Sequence, residues 1–161
     1  MNTTSHMLPP KEFVNQLVAI LSEANNLPEA ATRQFIEETE RHGSPEGFSK
    51  NKPQLYNYLE NVMHKAKDVR DRIEGIEYFF KDDDRKHFGP YEYLVQAQGT
   101  LAEARKRFVR LFESSAEYTM IDSQLKPDHK QFLEAMSQCE ELAKSQLALA
   151  GVAMEGRSNA R

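Results

Sequence analysis

The sequence has no tryptophan, a single cysteine and no long hydrophobic run, and each shortage narrows what the chain is for. With Cys139 alone, no intrachain disulfide is available, and a reducing, cytoplasmic setting is the simpler expectation. No apolar stretch approaches the roughly 18 residues of a membrane span, and no basic region followed by an apolar one opens the chain. Phe13 to Leu21 is apolar on one side only, which suits an amphipathic helix. Glycine-rich phosphate loops, nucleophile elbows and Cys-x-x-Cys pairs are missing as well.

Chemistry-bearing residues are scattered. His6, His42, His64, His87 and His129 lie on five segments, and none pairs with another at i,i+3 or i,i+4. A di-iron bundle needs two Glu-x-x-His motifs, and there is none. Asp82-Asp83-Asp84 lacks the alternate spacing and central glycine of an EF-hand loop. Cys139 sits on an apolar helical stripe, where a thiol is a small core residue. These absences point to a protein with no cofactor, no metal site and no catalytic residue. A net charge of −4 and a pI near 5.8 argue against non-specific binding to nucleic acid or anionic membrane.

What the chain does have is helical rhythm. Leu55, Leu59, Val62, Ala66, Val69, Ile73, Ile76 and Phe80 recur at steps of four and three, a heptad seam roughly 39 Å long. Pro53 opens this segment and Gly89-Pro90 cannot continue it, so the spacing predicts a helix over about 54–87. A second helix over about 90–125 carries Leu94, Ala97, Leu101, Ala104, Phe108, Leu111 and Tyr118. A further row of Val95, Ala102, Val109 and Ala116 widens that stripe. So wide a stripe needs several neighbours, and the expected fold is all-α, a bundle built on this antiparallel hairpin. A third long helix over 127–155 (Phe132, Leu133, Met136, Cys139, Ala143, Leu147, Ala150, Met154) completes it.

The N-terminal part reads as a short helical pair. Pro9-Pro10 opens the first helix and Pro28-Glu29 the second, whose apolar content is thin (Ala30, Ala31, Phe35, Ile36). Glu37, Glu38 and Glu40 make the far side of the second helix acidic. Residues 43–53, with two glycines and two prolines, read as a loop. Ser5-His6-Met7 resembles a cloning scar, so residues 1–8 are expected to be a partly vector-derived, disordered tail. One domain over 9–155 and a frayed tail over 156–161 follow.

Two details concern the hairpin. Gly75 and Gly99 fall at one level and off the seam, where a bend or contact would justify them or solvent would tolerate them. Arg105 falls inside the wide stripe, so either its stem snorkels to the edge or an acid on another helix pairs with it.

The expected function is binding another protein through rigid helical faces, as an adaptor, a regulator or an inhibitor of the immunity type. The candidate surface is the end carrying Tyr78, Asp82, Asp83, Asp84, Phe88 and Tyr91, together with the basic patch Lys106, Arg107 and Arg110. Tyrosine beside arginine is a common composition for such surfaces. A helical enzyme or ligand sensor with a site between helices stays open, as does a nucleic-acid role for the basic patch, which Glu103, Glu113 and Glu117 interrupt. Self-association through the wide stripes is a further possibility.

Overall fold

The computed structural model describes residues 6–80, 89–115 and 125–159. It is all-helical, with α1 (Pro10–Glu23), α2 (Asn26–Arg41), α3 (Pro45–Asn51), α4 (Pro53–Glu74), α5 (Glu92–Ser115) and α6 (Leu125–Asn159). No strand occurs among the described residues. The heptad seam is the core of α4: Leu55, Leu59, Val62, Ala66, Val69 and Ile73 are buried, and Ile76 beyond its end is too. Leu94, Ala97, Leu101, Ala104 and Phe108 of α5 face inward as their spacing demands. Most of α5's contact is with α6. α4 packs on α2 as well as on α5, and α6 also receives α1 and α2. Phe80 meets Tyr93 edge-on at 5.5 Å beyond one end of α4. Near the other end, His129 of α6 links Tyr58 to Phe108.

Several boundaries differ from the sequence expectation. α4 stops at Glu74 rather than near residue 87, and Gly75–Phe79 tightens into a 3₁₀ turn. Gly75 loosens the backbone there, and Ile76 and the aromatics after it are weaker helix formers than the residues before it. A side chain at Gly75 or at Gly99 would meet open space, so no close contact accounts for either glycine.

Residues 43–53 are not a loop, because α3 occupies most of them. Ser44 caps it by accepting a 3.0 Å hydrogen bond from the Gly47 amide, and Pro45 fits its first turn. Gly43 takes φ +84° to end α2. Gly47 is required for another reason: a Cβ there would lie 2.4 Å from the His42 carbonyl oxygen.

At the N-terminus, Leu8 is not in a loose tail but buried, its amide donating to Gln146 Oε1 at 2.8 Å. Gln146 Nε2 donates to the His6 carbonyl at 3.1 Å, so both ends of this buried amide hold the chain leading into α1. At the other terminus α6 continues to Asn159, past the start of the expected frayed tail.

Arg105 finds its acid on α6, Glu140, at 2.7 Å, with Lys144 3.7 Å from the same carboxylate. Lys67 pairs with Asp71 at 2.7 Å as its spacing predicts. Arg70 does not pair with Glu74; it reaches Ser22 of α1 at 3.3 Å. Among the described residues no helix is long and apolar enough to cross a membrane.

Candidate interaction surface

The face of α2 is set by which residues it buries. Leu27, Ala30, Ala31, Gln34 and Glu38 turn inward. Glu38 was expected on the acidic outer side, yet only 5% of it is exposed. Its burial is possible because two cations reach it, Arg41 Nη1 at 2.9 Å and Lys52 Nζ at 3.2 Å, with His42 Nε2 3.3 Å from the same carboxylate. His42 stacks on Phe48 with rings 5.9 Å apart and 9° from parallel. Phe48 and Tyr56 complete the junction with Phe35, so α2, α3 and the start of α4 share one aromatic and ionic clasp.

The clasp leaves the opposite side of α2 facing solvent. Pro28, Thr32 and Ile36 follow one another at four-residue steps, and Ile36 is 52% exposed. With Glu29, Arg33 and Glu37, all on the same helix, they form an open face. The Thr32 hydroxyl donates to the Pro28 carbonyl at 2.8 Å, which satisfies the one side-chain donor in the stripe. Glu29 accepts from Asn25 at 3.1 Å. Arg33, Glu37 and Glu40 form no ion pair among the described residues, although Glu29-Arg33-Glu37 has i,i+4 spacing. The result is a stripe of Pro28, Thr32 and Ile36 on a fixed helix, bordered by Arg33 and Glu37, which form no ion pair among the described residues.

Of the residues singled out from the sequence, five lie among the described residues. Tyr78 is 53% exposed and edge-on to Phe79 at 5.3 Å, and Tyr91 is half-buried just before α5. Lys106, Arg107 and Arg110 are exposed on α5, with Arg107 3.6 Å from Glu103. Asp82, Asp83, Asp84 and Phe88 lie outside the described residues. The second α5 row is incompletely covered: Val95 is 47% exposed, and Ala102 and Val109 are half-buried.

Reading the sequence missed the outer face of α2 because Phe35 and Ile36 are adjacent and looked alike. Their spacing separates them. Ile36 is in phase with Pro28 and Thr32, not with Leu27, Ala31, Gln34 and Glu38.

Two buried titratable groups, His129 and Cys139, are held neutral. Phe108's carbonyl can only accept, so His129 Nε2 is the donor in their 3.1 Å contact, and Nδ1 accepts from the Tyr58 hydroxyl at 3.1 Å. Burial lowers the His129 pKa to about 4, against the smaller opposing effect of the Phe108 hydrogen bond. Burial pushes the Cys139 thiol up to about 12, and its Sγ donates to the Leu17 carbonyl at 3.6 Å. No cluster of three metal-ligating side chains occurs among the described residues. The chain matches no protein-family model, no curated protein and no solved structure.

Proposed function

We propose that this protein is a non-catalytic interaction module that binds another protein through its rigid helical faces, as an adaptor, regulator or immunity-type inhibitor acting in the cytoplasm. The observation that carries this reading is the outer side of α2. Ile36 stands half out in solvent between Arg33 and Glu37, which form no ion pair among the described residues, on a helix that the Glu38 clasp holds in place. A preformed face loses little ordering entropy on binding, and covering the exposed part of an isoleucine is worth about 1 kcal/mol. Tyr78 and the Lys106–Arg107–Arg110 side of α5 offer two further contact regions, and the lone Cys139 suits a reducing compartment.

The test compares the wild-type chain with Ile36→Asp by proximity labelling in the native host. An exposed substitution of this kind changes folding stability by no more than about 0.5 kcal/mol, which thermal unfolding verifies. A protein labelled by the wild type, lost with Ile36→Asp, and reassembling with the wild type from purified components supports the reading. Identical labelling by both chains contradicts it.

A further inference from the structure

We infer that the socket around Gln146 on α6 is a recognition site for an extended, leucine-bearing segment of another protein, filled in this structure by the chain's own residues 6–8. Gln146 is fully buried, in a row of α6 whose other members are Cys139, Ala143 and Ala150. A side-chain amide in such a place is costly unless both of its ends are bonded. Both ends go to the main chain of one segment: Oε1 accepts from the Leu8 amide at 2.8 Å, and Nε2 donates to the His6 carbonyl at 3.1 Å. A carbonyl and an amide two residues apart belong to every extended polypeptide, so these bonds read backbone rather than sequence. Leu8 supplies the selectivity, since it is 5% exposed within the core, with Met7 packed against the same core.

The segment seated there shows what the site takes. Leu8 precedes Pro9, which favours extended backbone at Leu8, and Pro9 itself has polyproline angles, φ −56° and ψ 145°, before α1 begins. Two hydrogen bonds and the burial of Leu8 hold residues 6–8, so the segment opens without unfolding the helices behind it. While seated, it competes with any incoming segment at the high effective concentration that a short connection gives. A second copy of this chain has no such segment to spare, because its own residues 6–8 fill its own socket and an exchange adds no contact. The site is separate from the outer face of α2, and Ile36 takes no part in it.

The experiment uses the full chain with Leu8→Gly, which vacates the socket, or the milder Leu8→Ala if the first loses its cooperative thermal transition. The probe is a fluorescein-labelled, amidated peptide copying residues 4–10, beside a second copy with glycine in place of its leucine. Fluorescence anisotropy is expected to show the leucine peptide binding the Leu8 variant about tenfold more tightly than the wild-type chain, whose own segment competes. Adding Gln146→Leu to the Leu8 variant should abolish that binding, and adding Ile36→Asp should leave it unchanged. Equal binding to the variant and the wild type, equal binding of the two peptides, or no binding to a folded Leu8 variant overturns the inference and leaves residues 6–8 as a tether only. A wild-type dimer in sedimentation that Leu8→Gly dissociates overturns it as well, because the segment then serves a second copy.

Discussion

The Tyr58 hydroxyl of α4 and His129 Nδ1 of α6 lie 3.1 Å apart in the core, and the other ring nitrogen of that histidine donates to the Phe108 carbonyl of α5. One neutral imidazole therefore ties three helices together, and its tautomer is fixed by a partner that can only accept.

This bond makes stability depend on pH in a definite direction. His129 titrates near pH 4 in the folded chain, against about 6.5 when unfolded, so between these values the unfolded state binds more protons. Its contribution is fully present above pH 6.5, is lost as pH falls toward 4, and changes no further below that. The expected loss is roughly 3 kcal/mol, read from urea unfolding across the range. Carbon-detected NMR of the ring should show it about nine-tenths neutral at pH 5. Replacing His129 by glutamine should flatten this part of the profile.

The two kinds of glycine predict opposite signs. Gly47→Ala drives a methyl group against the His42 carbonyl and should destabilise by about 1–3 kcal/mol, with Ser44→Ala at the same cap costing about 1 kcal/mol. Gly99→Ala meets nothing and should stabilise by up to about 1 kcal/mol, since alanine is the better residue in a helix interior. Thermal unfolding of the three variants decides between the signs.

Glu140 is buried and Arg105 is partly exposed, so removing either partner has unequal consequences. Arg105→Met leaves the carboxylate with Lys144 at 3.7 Å and should cost about 2 kcal/mol, less than a fully buried pair because water reaches the guanidinium. Adding Glu140→Leu to that variant should recover much of the loss. A double-mutant cycle in urea measures both steps.

The fold was legible where apolar spacing decided it. Leu55 to Ile76 had to face a core because seven positions in the same phase cannot all face water. α3 was hidden by ambiguity in its own letters: Ser44, Pro45 and Gly47 mark a turn as readily as a capped helix start. Only the approach of Gly47 to His42 separates the two. The outward face of α2 was hidden by a tertiary effect. Glu38 reads as a surface residue until Lys52, eleven residues beyond Arg41, and Arg41 itself neutralise it. Once Glu38 and Gln34 are buried, Ile36 has nowhere to point but out.

The most direct measurement places a photo-crosslinking residue at position 36 of the full chain in the native host, with the same residue at the exposed position 64 of α4 as the reference. The account predicts one discrete adduct with another protein from position 36, and no such adduct from position 64. Indistinguishable adduct patterns from the two positions, or none from position 36, would contradict it.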